Sequence, residues 1–244
     1  MIIGNGQLAK VFMNSDLEGK SLCIFASGVS NSNCTDPKEF ERECDLLKVT
    51  LSENPGKKLI YFSSCALSAP DYPRNAYYQH KANMEALIKH QTDDYYIFRI
   101  PQLFGDLFLH KTLINFLYKC IEHDHTFKVF DNAYRYVIEI NDVRTLVEAF
   151  VNSQNAGVTI DLANPFRYRV LDIVKTFEVL LGKKANYQIV EKDDQYRLDL
   201  MPMLNFIQSQ GLQLDFGPDY LHKKISEKIS FKHVPKTINQ LDLI

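Results

Sequence analysis

The chain reads as an α/β protein built on a parallel sheet with helices on both faces, followed by a small C-terminal cap. Two observations predict this. Short apolar runs rich in β-branched and aromatic residues, each bounded by turn residues, alternate with longer stretches of helical period. The alternation extends through most of 244 residues, enough chain to bury a sizeable core without disulfide staples.

The elements follow in order. Met1–Ile3 is the first strand, and a helix runs from Gln7 to Asn14. Leu22–Ala26 is the next strand. The helix Pro37–Leu51 is opened by Asp36-Pro37, an N-cap followed by proline at the first helical position. Strand Lys58–Phe62, helix Asn75–His90, strand Tyr95–Ile100 and helix Thr112–His123 come next. Beyond Gly105 the pattern changes: Phe127–Phe130 and Arg135–Ile140 read as short strands around a turn at Asp131-Asn132-Ala133. A helix over Asp142–Asn152, a strand over Thr159–Leu162 and an amphipathic helix over Val170–Leu181 follow, the last stopped by Gly182, a usual C′ residue. Residues 1–165 are expected to form the main domain, with 106–135 contributing to the cap, and 166–244 the cap itself. The tail His222–Lys236, with Lys223, Lys224, Lys228, Lys232 and Lys236, reads as a solvated face.

Composition excludes several classes. With 45% hydrophobic and 24% charged residues the chain is neither disordered, collagenous nor a coiled coil. A net charge of -2 gives no electrostatic case for nucleic acid or an anionic membrane. The 5 cysteines, Cys23, Cys34, Cys44, Cys65 and Cys120, are odd in number and form no CxxC pair, which fits free thiols in a reducing compartment. No run approaches ~18 apolar residues, and the start Met1-Ile2-Ile3-Gly4-Asn5-Gly6 is unlike a secretory leader, so a cytoplasmic location is expected. His110, His123 and His125 lack a carboxylate lattice, and no metal is expected there.

Three segments can carry chemistry. Gly4-Asn5-Gly6-Gln7-Leu8-Ala9 has the form GxGxxA between a strand and a helix. Its first glycine permits a tight turn, its second lets backbone approach a pyrophosphate, and its alanine allows close helix–strand packing. A purely structural tight turn is the alternative. Tyr77-Tyr78-Gln79-His80-Lys81 places Tyr77 and Lys81 on one helical face. A lysine cation beside a phenol favours the phenolate, so Lys81 is expected to lower the pKa of Tyr77 and fit it for proton transfer. Ser63-Ser64-Cys65 stands at a strand's carboxyl end, where parallel sheets bind ligands.

Glycine turn, strand-end serine and YxxxK, in this order, resemble the short-chain dehydrogenase/reductase superfamily. The closer resemblance is to its extended branch, the NAD-dependent epimerase/dehydratase family acting on nucleotide sugars. Phe98-Arg99-Ile100-Pro101-Gln102-Leu103-Phe104-Gly105 is similar to that branch's arginine and strand end, with Gln102 for the usual Asn, and Arg135-Tyr136-Val137-Ile138-Glu139-Ile140-Asn141-Asp142-Val143 to its R-D-F-I-x-V-x-D-V segment. Glu85 sits where the family often has an acid on the YxxxK helix. The resemblance covers roughly residues 1–180 and implies a Rossmann-like doubly wound sheet. It implies Tyr77 as general acid/base, Lys81 as its partner on the nicotinamide ribose, and Ser64 as the hydroxyl that orients substrate, with a register that puts Cys65 there as the alternative. It implies an NAD or NADP site made by Gly4, Asn5, Gly6, Gln7, Leu8, Ala26, Ser27, Gly28, Ser63, Tyr77, Lys81 and Pro101. Cys65, Gln102 and Arg135 would touch substrate, Arg135 at the nucleotide diphosphate. A homodimer paired through the YxxxK helix is expected on the same ground.

The chain departs from the family in two places. The helix after the glycine turn is followed almost at once by Ser21–Gly28, which resembles the family's fourth strand. The intervening residues are too few for the missing crossovers, so the sheet is truncated between its first and fourth strands and the adenosine half of the site is shortened. After Ser64 stand Cys65, Ala66 and Leu67, not the acidic pair of the dehydratases. The implied function is NAD(P)-dependent reduction or epimerisation of a nucleotide-linked sugar. The alternatives are a sugar-nucleotide binding or regulatory protein that has lost the dinucleotide, and a short-chain reductase of a non-sugar ketone.

Overall fold

Five apolar runs assemble into one parallel sheet. A computed structural model of the chain describes residues 1–13, 15–17, 20–108 and 112–230. The strands are β1 (Ile2–Ile3), β2 (Leu22–Phe25), β3 (Lys58–Ser64), β4 (Tyr95–Ile100) and, later in the chain, β8 (Val158–Asp161), in the spatial order β1-β2-β3-β4-β8. The helices between them are α1 (Gln7–Phe12), α2 (Pro37–Glu53) and α3 (Ala76–Gln91). As expected from the Asp36-Pro37 signal, the Asp36 carboxylate accepts from Lys38 N at 3.0 Å and caps α2. Asn75 caps α3 through Tyr78 N at 3.0 Å, which fixes where the helix starts and hence which residues face inward.

Strand alternation sorts the core into two layers. Leu22 and Ile24, Ile60 and Phe62, and Tyr96 and Phe98 face α1, α5 (Ile140–Ser153) and α7 (Met201–Ser209), meeting Phe12, Val143, Val147, Phe150 and Phe206. Cys23 and Phe25, Leu59 and Tyr61, and Ile97 face α2 and α3, meeting Leu47, Met84 and Ile88. The sheet advances without reversal, yet α1 lies on one face and α2 on the other. The first two crossovers therefore have opposite hands, although parallel crossovers are almost always right-handed. Among the described residues β1 is the edge of this sheet, so α1 keeps its face while the chain goes straight on to β2. The short connection, which reads as too short for the family's crossovers, holds one six-residue helix among the described residues and delivers β2 directly beside β1.

The second layer system carries the cap. A two-stranded pair joins β5 (Gln102–Phe104) and β7 (Val137–Glu139). A three-stranded sheet has the order β10-β6-β9, from β6 (Phe127–Arg135), β9 (Tyr168–Arg169) and β10 (Tyr187–Asp194). The helices α4 (Leu113–Glu122), α6 (Val170–Leu181) and α8 (Tyr220–Ser230) pack around it, with Ile114, Tyr118, Phe177 and Tyr220 fully or nearly fully buried. Gly182 ends α6 at φ +61°, in the left-handed region. One expectation is corrected: Asp131-Asn132-Ala133 is not a turn but the middle of β6. Pairing with β10 overrides its turn propensity, through a register irregularity between Val190 and Asp193. Asp131 O accepts from Arg169 Nε at 2.7 Å and Asp131 Oδ1 from Lys192 N at 2.8 Å, so its polar groups are satisfied within the sheet. Lys232, Lys236 and His110 lie outside the described residues. Among the described residues no helix is long and apolar enough to cross a membrane.

Gly4 is the most tightly packed of the described glycines. Its φ is +124°, and a β-carbon there would stand 2.5 Å from Ala26 O, in the loop after β2. Both facts require glycine. Gly4→Ala is expected to cost about 2 kcal/mol or more, read as a lowered urea midpoint with unchanged slope.

Candidate active site

The loops that follow β1, β2, β3 and β4 meet at one end of the sheet. Gly4 packs against Ala26, Gly28 packs against Lys81 and Glu43, and Lys81 Nζ lies 5.9 Å from the centroid of the Tyr77 ring. The glycine turn, the Ala26-Ser27-Gly28 loop and the YxxxK helix are thus one contiguous structure. A β-carbon at Gly28 would stand 2.7 Å from Lys81 Nζ and 2.9 Å from Glu43 Oε1, so this glycine is the lid over an ion pair.

The centre of the site is the carboxylate of Glu43, on the inner face of α2 and 0% exposed. Its Oε1 accepts from Lys81 Nζ at 2.9 Å and from Tyr61 OH at 2.6 Å. Its Oε2 accepts from Val29 N at 2.6 Å and pairs with His80 Nε2 at 2.9 Å. Lys81, 2% exposed, also meets Tyr61 OH at 3.0 Å, and Phe40 stacks on the His80 ring at 4.5 Å. Burial alone pushes the Glu43 carboxyl up, but the His80 bond, the Lys81 charge and the Tyr61 and Val29 donors together hold it far below the usual carboxylate range. Burial pulls Lys81 down from its ordinary value, against Glu43, which holds it up.

This alters the chemistry expected of Tyr77. Tyr77 is 8% exposed, and burial first, then Tyr78 and Glu43, push its phenol well above the ordinary tyrosine value. The direction is opposite to the expected one. Lys81 does not act on the phenol as a free cation, because Glu43 neutralises it 2.9 Å away.

The serines differ. Ser64 Oγ accepts from Ala66 N at 3.4 Å and caps a 3₁₀ turn at Cys65–Ser68. Ser63 is 3% exposed and its Oγ has no partner. By strand alternation Ser63 shares the face of Tyr61, the side of α2 and α3. Gln7 Oε1 is likewise buried without a partner, against Gly105. In front of Gly6 there is open space: no atom lies within 4 Å of where its β-carbon would stand. Cys65 is fully buried and its thiol donates to Arg99 O at 3.1 Å; burial and Asp161 push it up.

The expected substrate side is built as follows. Glu85 takes Arg99 in a two-pronged pair at 2.9 and 2.6 Å, tying α3 to β4. Pro101 follows β4 and Gln102 opens β5. Arg135 ends β6 and is held by Asp194 Oδ2 at 2.6 Å and Asp194 O at 2.7 Å, while Tyr72 OH donates to Asp194 Oδ1 at 2.8 Å. Ring contacts join the two parts: Tyr77 to Tyr78 at 5.2 Å, Tyr78 to Tyr72 at 5.7 Å and Tyr72 to Tyr196 at 5.0 Å. Glu43, Tyr61, Tyr72, Asp194 and Tyr196 are absent from the sequence reading. Only Glu43 left a signal there, as an acid at the inward spacing of Leu47 and Thr50 on α2. Two surface concavities, one around Ser52, Gly56 and Thr92 and one around Lys175, Val179 and Lys183, lie outside this constellation.

The chain matches no protein-family model and no curated protein. Solved structures do share its fold. The dTDP-glucose 4,6-dehydratase of Bacillus anthracis str. Ames, in complex with NAD, superposes with a TM-score of 0.70 at 11% identity, over 87% of this chain and 73% of that one. The UDP-glucose 4-epimerase of Thermus thermophilus, in complex with NAD, gives 0.68 at 11% identity, over 86% and 78%. The UDP-N-acetylglucosamine 4-epimerase of Methanobrevibacter ruminantium M1, in complex with UDP-N-acetylmuramic acid, gives 0.68 at 14% identity, over 91% and 80%. At these identities the likeness is one of fold.

Lys81→Met alone leaves the Glu43 carboxylate buried without its lysine cation, and is expected to cost about 3 kcal/mol; Lys81→Met combined with Glu43→Gln should recover most of that loss in urea unfolding. Because the folded value of Glu43 lies below its ordinary 4.5, its contribution is complete above that pH and is lost as pH falls through the folded value. Chemical unfolding across the acid range should show this decline in the parent and less of it in Glu43→Gln.

Proposed function

We propose that this protein is an NAD(P)-dependent reductase or epimerase of a nucleotide-linked sugar. The observation that carries the reading is the continuity of Gly4–Gly6, Ala26–Gly28, Lys81 and Tyr77 at the carboxyl end of the sheet. The structures that share the fold include complexes with NAD and with nucleotide sugars. The residues present fit a dinucleotide. Gly6 leaves the space that backbone approach to a pyrophosphate needs, and Ser63 Oγ and Gln7 Oε1 are buried polar atoms that a ligand would satisfy. Asn5, Leu8, Ser27 and Pro101 would complete the cradle. Bound there, a nicotinamide supplies hydride exchange with a substrate carbon.

The chain's own residues handle the proton and the orientation. Tyr77 Oη exchanges a proton with the substrate oxygen. We assign the orienting hydroxyl to Ser63, whose Oγ is unpartnered on the Tyr61 face, while Ser64 serves the turn. Arg135, at the end of the Tyr72–Tyr78 chain, meets the diphosphate after exchanging Asp194 for it, and Gln102 and Cys65 form the wall beside β4. The sheet β10-β6-β9 with its helices acts as the substrate cap. A binding protein without redox chemistry is the second reading, favoured by one observation: among the described residues β1 is the edge of the sheet, with no strand beyond it to hold an adenosine.

Titration with NADH and NADPH, followed by calorimetry, decides between them. Saturable micromolar binding is expected, weakened at least tenfold in Gly6→Val with the urea midpoint unchanged. Tyr77→Phe should keep that binding and lose about 10²–10⁴-fold in keto-sugar turnover. Nucleotide-sugar binding without dinucleotide binding would hand first place to the second reading.

A further inference from the structure

Arg135 and Tyr72 aim two donors at one point, and the carboxylate of Asp194 fills it. Its Oδ2 accepts from Arg135 Nη2 at 2.6 Å and its Oδ1 from the Tyr72 hydroxyl at 2.8 Å. The three groups come from three places: Arg135 ends β6, Asp194 ends β10, and Tyr72 stands in the loop between the Cys65–Ser68 turn and α3. Both donors are held without the carboxylate. Arg135 Nη1 donates to the carbonyls of Tyr134 and Asp194, at 2.8 and 2.7 Å, and pairing with Ala133 fixes the main chain of Asp194. Tyr72 packs its ring on Tyr78 and Tyr196, at 5.7 and 5.0 Å. Its loop is tied at one end by Ser68, which bonds to Asp161 and Arg99 at 2.8 and 2.9 Å, and at the other by Asn75, which donates to Ser32 O at 2.8 Å. The Asp194 carboxylate is the member free to turn. It is partly exposed, and rotation about its own side-chain bonds takes it into water while its backbone stays paired.

We propose that Arg135 and Tyr72 together form the diphosphate clamp of the substrate site, and that Asp194 is its built-in competitor, a carboxylate that occupies the clamp until a diphosphate displaces it. The inference rests on the proposed function, from which it takes the diphosphate at Arg135. It adds Tyr72 as a second binding residue and Asp194 as the group that sets the affinity. The exchange balances in hydrogen bonds: Nη2 and the phenol each lose a carboxylate oxygen and gain a phosphate oxygen, and the carboxylate gains water. It is favourable in charge, because a diphosphate that links a nucleoside to a sugar carries two negative charges where Asp194 carries one. Affinity is lowered by the same device. A clamp that its own carboxylate fills about nine-tenths of the time loses about tenfold in apparent affinity.

Calorimetric titration of the full chain with UDP-glucose, and with inorganic pyrophosphate as a probe without base or sugar, tests this with no cofactor and no turnover. Asp194→Ala, which opens the clamp, is expected to bind both about tenfold tighter than the parent. Asp194→Asn, which keeps the shape and removes the charge, should also bind more tightly, and replaces the alanine variant should that fail to fold. Adding Arg135→Ala to Asp194→Ala should abolish the gain, and adding Tyr72→Phe should take back about threefold or more of it. A folded Asp194→Ala that binds no tighter than the parent overturns the proposal, and makes Asp194 a support that positions Arg135. A gain that survives Arg135→Ala or Tyr72→Phe undiminished also overturns it, since relief of plain repulsion by Asp194 needs neither donor. These outcomes leave the proposed function standing. A parent and variants that bind neither probe up to millimolar overturn the proposal together with the diphosphate role of Arg135.

Discussion

A buried carboxylate with four partners organises this end of the molecule. Glu43 comes from α2, and its partners come from three other places: Val29 in the loop after β2, Tyr61 on β3, and His80 and Lys81 on α3. A charge without solvent is costly unless every lone pair is met, so the four partners are not free to drift independently. That requirement ties α2 to α3, places the YxxxK helix over the end of β3, and favours glycine at position 28, where a β-carbon would press on the ends of both side chains. The position of Tyr77 follows from the same geometry, since it shares one helical face with Lys81.

Much of the main sheet was legible in the sequence because its signals are local. β4 falls on the expected residues, and α2 and α3 begin where Asp36-Pro37 and Asn75 place them. Local signals failed where distant chain decides. Asp131-Asn132-Ala133 has turn composition but is drawn into β6 by β10, some 60 residues away in pairing partners such as Asp193 and Asp194. The site was legible in part. Gly4, Gly28, Tyr77 and Lys81 come together as the motifs suggest, but the acid that neutralises Lys81 lies 38 residues away on another helix. Spacing within a motif carries no information about such a partner. The inward spacing of Glu43 with Leu47 and Thr50 marks it as buried, and a buried acid implies a cation, without saying which one.

The truncated sheet has a consequence for topology. With no strand outside β1 among the described residues, the chain runs straight on, and α1 bridges two adjacent parallel strands from the less favoured side. A helix of only six residues does so because β1 is two residues long and Gly4 turns the chain directly against Ala26. The unusual crossover and the strained glycine are therefore two sides of one constraint: a short path that keeps the glycine turn beside the β2 loop.

The charge pattern of the whole cleft extends the logic of Glu43. Three of the cations around the site are buried or half-buried, and each has its own anion: Lys81 with Glu43, Arg99 with Glu85 and Arg135 with Asp194. The pairs are unequal. Glu43 and Glu85 are almost wholly buried and serve elements of the main sheet, whereas Arg135 and Asp194 are 14% and 17% exposed and join β6 to β10 in the cap. A dianionic ligand can compete for a cation only where the protein's own anion can move into water, and of these three anions Asp194 is the one that meets that condition. On the proposed reading, a diphosphate would be taken up by an exchange of partners at Arg135, with Tyr72 released from Asp194 at the same time, while the Lys81–Glu43 pair beside Tyr77 stays in place.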